Sequence, residues 1–207
     1  MLRRLAVLVL AATGFAGSAA AQALEIRPFV GYRDGGELRE EAGRRYDIAG
    51  DVTFGLAVDF DLRRDIGVQL LVSRLATSAE PESSGVGGPL GLSVTHWLVG
   101  PSKSFFPRSR LRPDAALLGG FSKFSPDLEG HRSVGWFTLA PVLGATYFPW
   151  QRVGLRLEGR GFITFTNTGT PFACEDTGGG CILRFVGNTM FQPEIAASVV
   201  FALGQRY

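Results

Sequence analysis

The residues whose types and spacing come nearest to catalytic machinery are His131 and Ser133, in the segment GHRSVGW. A serine becomes a nucleophile when a base takes its proton and an acid orients that base. The nearest acid, Glu129, is only a neighbour in the same predicted loop, and no acid follows the serine at the next positions. A His-x-Ser pair arises easily by chance. We therefore predict that the protein has no catalytic site and is not an enzyme.

Two cysteines form the next candidate site. Cys174 and Cys181 lie close together in a polar, glycine-rich segment. Neither histidine of the chain is near them in sequence, so the spacing and residue types match no zinc-binding site. The N-terminal residues have the pattern of an export signal, and exported proteins fold where disulfides can form. We therefore predict a disulfide between Cys174 and Cys181 that closes one loop. Glu175 and Asp176 between the cysteines supply too few oxygens for a committed Ca²⁺ site. We predict no metal and no cofactor.

The N-terminus has the layout of a secretory signal peptide. Arg3 and Arg4 precede an apolar run that is too short to span a bilayer as a helix, and small residues follow it. The sequence therefore predicts a signal peptide of residues 1–23, with cleavage after residue 21 as the alternative, and one mature domain of residues 24–207. That domain has 19 basic and 19 acidic residues. This balance does not indicate a nucleic-acid partner.

The mature sequence alternates between apolar and polar residues with the period of β-strands. The pattern is clearest at residues 52–62, where Phe54, Leu56 and Val58 alternate with small and acidic residues. Eight segments of this kind occur: 25–33, 52–62, 66–77, 92–106, 115–124, 134–148, 153–165 and 194–207. The alternation fails around His96 and Trp97, which predicts a bulge or a shifted register there.

The connections between these segments alternate in length. Three are short, at 63–65, 107–114 and 149–152, and four are mostly longer and rich in glycine, proline or charge, at 34–50, 78–91, 125–133 and 168–190. Short turns at one end and long loops at the other are typical of outer-membrane barrels. We therefore predict an all-β fold, a single eight-stranded antiparallel up-and-down transmembrane β-barrel.

Aromatic residues favour the same fold, because membrane barrels carry aromatic side chains at both interfaces. The predicted inner set is Phe60, Phe105, Phe106, Tyr147, Phe148, Trp150 and Tyr207, and the outer set is Tyr32, Phe165 and Phe191. The alternative is a soluble β-sandwich or a lipocalin-type barrel. The polar faces, however, are mostly glycine, alanine, serine and threonine, which fits a narrow filled lumen better than a solvated exterior.

A charged cluster is predicted inside such a barrel. The first and last strands must pair to close it, so the first, second, seventh and eighth strands are contiguous. Their inward faces would bring together seven charged residues: Arg27, Asp59, Asp61, Arg156, Glu158, Arg160 and Glu194. Buried charges require partners, so we predict a structural network that fills the lumen. The functional alternative is a gate that opens when partners exchange.

The whole mature chain resembles small outer-membrane proteins with an OmpA-like or OmpW-like β-barrel domain. The segments that carry the resemblance are EIRPFVGYRDGG, FGLAVDFDL, VQLLVSRLAT, RPDAALLGGFSKFSP, YFPWQRVGLRLEGRGF and FQPEIAASVVFAL. The resemblance implies a C-terminal signal, here Phe201, Leu203 and Tyr207, that the outer-membrane assembly machinery reads. Gln205 departs from the apolar residue usual at that position.

The resemblance implies a location in the outer membrane of a Gram-negative bacterium, in contact with outer-membrane lipid and lipopolysaccharide. It implies a structural or surface-interaction role, with an extracellular ligand or protein as a candidate partner of the loops. One alternative is a porin-like conduit for small or apolar solutes. The other is a lipid A-modifying hydrolase, because His131 and Ser133 resemble part of the site of outer-membrane lipid A deacylases. The asparagine that follows the serine in those enzymes is Val134 here.

Overall fold

A computed structural model of the chain describes residues 24–39, 45–63, 65–81, 90–127, 133–166, 171–174, 181–184 and 189–203. The described residues form twelve strands: β1 (Leu24–Arg33), β2 (Glu37–Arg39), β3 (Arg45–Ile48), β4 (Asp51–Asp61), β5 (Ile66–Pro81), β6 (Leu90–Ser104), β7 (Leu111–Pro126), β8 (Val134–Tyr147), β9 (Val153–Phe165), β10 (Pro171–Cys174), β11 (Cys181–Arg184) and β12 (Met190–Leu203). In these ranges no helix is long and apolar enough to cross a membrane.

Eight of the strands form a closed antiparallel barrel, which confirms the predicted eight-stranded up-and-down architecture. Their order around the barrel is β1, β4, β5, β6, β7, β8, β9 and β12, and the β1–β12 pairing closes the ring. The hairpins β2–β3 and β10–β11 lie within two of the long connections. We call the end with the turns at 62–65, 105–110 and 148–152 the short-turn end, and the opposite end the long-connection end.

Alternate residues of each barrel strand face inward and outward, as the pleat of a β-strand requires. On β12 the burial alternates without a break from Met190 to Leu203. On β4 the outward Leu56 is 43% exposed while the inward Ala57 is fully buried. This arrangement agrees with the prediction that Asp59, two residues after Ala57, faces inward.

The predicted bulge at His96 and Trp97 is wrong. Strand β6 pairs with β5 and β7 in one continuous register, with His96 opposite Ser73 on one side and Ser122 on the other. The alternation was obscured because β6 is apolar on both faces: Leu98 points inward beside His96, whereas Trp97 points outward. When both faces of a strand are apolar, the sequence no longer alternates between apolar and polar residues, although the pairing with the neighbouring strands stays regular.

The predicted start of the fifth barrel strand is also wrong. Strand β7 begins at Leu111 rather than at residue 115, so the turn before it is shorter than expected. Arg112 and Asp114 suggested a polar turn in the sequence. In the structure both are buried in the lumen, where each forms an ion pair.

Exposed aromatic side chains form two bands around the barrel. The band near the long-connection end has one member on each barrel strand except β5: Tyr32, Phe54, Trp97, Phe121, Phe137, Phe165 and Phe191. The band at the short-turn end consists of Phe60, Phe105, Phe106, Tyr147, Trp150 and Phe201. Phe148, predicted to belong to the second band, is instead buried and lies against Arg112. Tyr207 is outside the described residues.

One apolar cluster fills the lumen at the long-connection end, and a second lies among the charged residues. The outer cluster, near the long-connection end, consists of Ile48, Leu75, Leu92, Val94, Phe124, Trp136 and Met190. The middle cluster consists of Phe29, Ala57, Leu71, Leu98, Leu118, Ala140, Val142, Phe162 and Ala196. The charged part of the lumen therefore lies mainly toward the short-turn end.

Candidate functional site

Glu158 is the centre of an ion-pair network inside the barrel. It lies on β9 between Arg156 and Arg160, and the two-residue spacing turns all three side chains into the lumen. The Oε2 atom of Glu158 accepts a hydrogen bond from Arg156 Nε at 2.8 Å, and the Oε1 atom pairs with Arg160. Arg27 of β1, which is separated from β9 only by β12, lies 3.5 Å from Oε2 through its Nη1 atom.

The network continues from this centre in both directions. Toward the short-turn end, Arg27 Nη2 lies 2.5 Å from Asp59 Oδ2. Toward the long-connection end, Arg160 Nη1 lies 2.7 Å from Glu194 Oε1. The structure thus brings together six of the seven charged residues named from the sequence. The seventh, Asp61, is half-buried at the rim of the lumen.

Four further members of the charged lumen were missed in the sequence. Arg33 Nη2 lies 2.6 Å from Glu194 Oε2, and Arg112 Nη2 lies 2.5 Å from Glu25 Oε2. Asp114 holds Arg156, with 2.6 Å between Oδ2 and Nη2. Glu25 and Arg33 have the same parity as Arg27 on β1, so strict use of the period would have found them. The two β7 residues needed the correct start of that strand.

The resulting charges balance. Five cations and five anions of the described lumen take part in these pairs: Arg27, Arg33, Arg112, Arg156, Arg160, Glu25, Asp59, Asp114, Glu158 and Glu194. Two guanidinium groups also lie over rings of the middle cluster, Arg160 over Phe29 at 3.9 Å and Arg33 over Phe162 at 4.1 Å. Such contacts join the charged and apolar parts of the lumen.

A row of hydroxyl groups lines the inner wall of four neighbouring strands, β6 to β9, next to this network. Ser122 Oγ forms hydrogen bonds with His96 Nδ1 and, at 2.5 Å, with Thr138 Oγ1. Thr138 in turn contacts Thr164 Oγ1 at 2.8 Å. The imidazole is fully buried and stacks on Phe162, with 4.4 Å between ring centroids.

This histidine and serine do not have the geometry of a hydrolytic site. The Nε2 atom of His96 has no hydrogen-bond partner in the described part of the chain, so an orienting acid is not seen there. Both residues are also fully buried, which keeps them away from a substrate outside the barrel. The row is better explained as packing that satisfies polar groups across four strands.

The remaining residues named from the sequence lie outside the lumen or outside the described part. Ser133 is exposed, whereas Glu129, His131, Glu175, Asp176 and Tyr207 are among the residues that the structure does not describe. Cys174 and Cys181 stand directly opposite each other in the β10–β11 pairing. Directly opposed residues of neighbouring strands have the Cα separation that a disulfide spans. Phe201 and Leu203 point outward near the end of β12.

Comparison with solved structures gives the same fold. Neisserial surface protein A superposes with a TM-score of 0.58 and 12% identity, covering 86% of this chain and 97% of that one. The outer membrane protein OprG from Pseudomonas aeruginosa gives 0.57 and 12%, covering 90% and 98%. The outer membrane protein AlkL gives 0.50 and 14%, covering 93% and 94%. No protein-family model and no curated protein sequence matches the chain. The chain therefore has the fold of small eight-stranded outer-membrane barrels.

Proposed function

We propose that the protein is an exported barrel of the Gram-negative outer membrane, with a sealed lumen and a structural or surface-interaction role. The observation that carries this proposal is the outer face of the wall. Between the two aromatic bands, the outward positions of the described strands hold only alanine, glycine, proline, valine, leucine and isoleucine, apart from Lys103 of β6 beside the short-turn band. A soluble protein would expose this continuous apolar belt to water, whereas a bilayer would cover it.

The height of the belt fits a bilayer. On β8 the two bands are represented by Phe137 and Tyr147, which are ten residues apart. At about 3.4 Å per residue and a strand tilt of roughly 40°, this corresponds to about 25 Å along the barrel axis. Membrane barrels have an apolar band of about that height, with aromatic residues at both edges.

The filled lumen favours the structural role over a conduit. A water-filled path would have to pass the outer cluster and then the level at which the middle cluster and the ion pairs around Glu158 lie side by side. A barrel of eight strands has little more internal space than its side chains occupy. The proposal is therefore that the barrel serves as an anchor and that the long connections meet extracellular partners.

Orientation follows from the connections. In outer-membrane barrels the short turns face the periplasm and the longer loops face outside. The turns at 62–65, 105–110 and 148–152 would then lie in the periplasm. Residues 1–23 would direct export and be removed, and Phe201, Leu203 and Tyr207 would be presented to the assembly machinery.

Reconstitution into lipid vesicles tests the proposal. The mature chain should insert and show the heat-dependent gel shift of a folded barrel, and planar bilayers should record no discrete channel conductance. Failure to insert would overturn the membrane assignment. A steady unitary conductance would favour the conduit. Lipid A recovered from cells with and without the protein should have the same mass, and a loss of acyl chains would favour the hydrolase.

A further inference from the structure

A polar patch interrupts the lipid-facing surface on one side of the barrel. It comprises two cations and three hydroxyl residues on three neighbouring strands: Arg74, Ser93, Thr95, Lys123 and Ser125. Arg74 is opposite Thr95, and Thr95 is opposite Lys123, so these three form one row across β5, β6 and β7. Arg74 Nε donates a hydrogen bond to Ser93 Oγ at 3.3 Å, which draws the guanidinium across β6. We call this set the β5–β7 patch.

On the side toward the middle of the barrel, the patch borders two exposed aromatic residues. Trp97 and Phe121, each two residues nearer the middle of the barrel, are opposite each other and exposed. The ring of Phe121 covers Gly135, because a Cβ atom at that glycine would lie 2.0 Å from the ring. The patch therefore stands at the boundary between the apolar belt and the water beyond it.

The position of the patch is specific to one side. Strand β5 is the barrel strand that contributes no aromatic residue to the band, and Arg74 stands opposite Phe54 where such a residue would be expected. On the other strands the outward positions at this level are aromatic or apolar among the described residues. Two cations confined to β5 and β7 indicate a local site rather than a general interfacial ring.

We propose that the β5–β7 patch binds a phosphate group of lipid A, with the acyl chains lying over Trp97 and Phe121. The inference rests on the proposed membrane location and orientation, which put the long-connection end in the leaflet that contains this phosphorylated glycolipid. Arginine binds phosphate oxygens with its planar fork, and lysine adds a point charge. Strands β5 and β7 are two positions apart and therefore separated by roughly 10 Å. The side chains of Arg74 and Lys123 are long enough to contact one phosphate group between them.

The surroundings indicate which source of phosphate the patch takes. Asp127 lies further toward the long-connection end, with its carboxylate over Gly91. Arg74 and Lys123 are therefore the charges nearest the apolar belt at this end of the three strands. A free phosphate ion would gain nothing from the exposed rings beneath the cations. A phosphorylated amphiphile uses both parts of the surface at once.

Lipid binding to the folded barrel in nanodiscs of neutral phospholipid tests the inference. The probe is bisphosphorylated lipid A, and dephosphorylated lipid A is the comparison ligand. The test variant is R74Q/K123Q, and R74K/K123R keeps the charges. The matched control is R108Q/R110Q, which removes two exposed cations at the short-turn end. Only preparations that show the heat-dependent gel shift are measured, so failure of the wild type to fold in lipid bears on the proposed function alone.

We expect R74Q/K123Q to raise the Kd for lipid A at least about tenfold, since each cation makes charge-assisted hydrogen bonds to phosphate. R74K/K123R should retain most of the affinity, R108Q/R110Q should retain all of it, and dephosphorylated lipid A should bind weakly. Equal binding of the two ligands, or an unchanged Kd in R74Q/K123Q, would overturn the inference. So would an equal loss in the control, which would indicate unspecific attraction. Displacement of lipid A by inorganic phosphate at equal concentration would reassign the patch to the free ion.

Discussion

The inner and outer faces of the same strands differ as sharply as the interior and surface of a soluble protein, but with the polarity reversed. On β9 the inward side chains Arg156, Glu158 and Arg160 are nearly fully buried, while the outward Leu155 and Leu157 are 55% and 62% exposed. Ion pairs hold the inner face, and the outer face is apolar, as the proposed membrane location requires.

This difference determines the register of the strand. A shift by one residue would exchange the two faces, placing three charges in the apolar belt and leucines among the ion pairs. Charges in the apolar belt and leucines among the ion pairs would each destabilise the barrel, so both faces of the strand determine its register. Where both faces are apolar, as on β6, the sequence pattern is weak and pairing with the neighbouring strands determines the register.

The strongest test of the inner face is Glu158→Gln. This change removes the anion shared by Arg27, Arg156 and Arg160 and leaves one uncompensated positive charge in the buried network, because the remaining pairs supply four anions for five cations. Removing one partner of such a pair typically costs about 3 to 5 kcal/mol. We expect a lower urea midpoint for the barrel in vesicles, while Asp34→Asn, at an exposed acid, should leave it unchanged.

The result also separates a structural network from a gate. If the network is structural, conductance stays at the wild-type level in Glu158→Gln. A large rise in conductance would favour the gate, and an unchanged midpoint would mean that Glu158 does not stabilise the barrel.

The outer face is tested by Leu56→Arg. Leu56 is an outward residue near the middle of β4, and arginine at the bilayer midplane costs about 2 to 4 kcal/mol in membrane barrels. Insertion into vesicles, read from the heat-dependent gel shift, should fall far more than for Ala57→Ser on the inner face. Equal tolerance of the two changes would mean that the two faces of this strand are reversed.

A smaller effect is expected away from the barrel wall, at the predicted disulfide. Breaking it with Cys174→Ser should destabilise the β10–β11 hairpin by roughly 2 to 3 kcal/mol, because the bridge closes a short loop. Limited proteolysis should detect faster cleavage of that connection, and the urea midpoint of the barrel should not change. Thiol labelling of the unfolded, unreduced wild type should find no free cysteine, whereas quantitative labelling of both would exclude the bridge.

The sequence predicts the barrel well because the wall has two chemically different faces. Alternation located all eight strands, and parity grouped Arg27, Glu158 and Glu194 on the inner face. The errors arose where the chemistry of one face is atypical. Arg112 and Asp114 indicated a turn because a strand was not expected to begin with buried charges.

The contacts across the lumen could not be predicted from the sequence. Which arginine meets which acid depends on the shear of the barrel and on side-chain length. The Arg112–Glu25 pair, which joins strands four positions apart in the barrel, has no signal in the local pattern. The same holds for the β5–β7 patch, because Arg74 and Lys123 are 49 residues apart in the chain and become neighbours only through β6.

Fluorescence quenching by lipids brominated in the acyl chains tests the central claim, that the outer face meets lipid and the inner face does not. The chain supplies two probes: Trp97, which is 45% exposed on the outer face, and Trp136, which is 5% exposed in the lumen. In single-tryptophan variants with the other tryptophans changed to phenylalanine, the brominated lipid should strongly quench Trp97 and leave Trp136 nearly unquenched. Equal quenching of the two, or stronger quenching of Trp136, would contradict the arrangement of the faces.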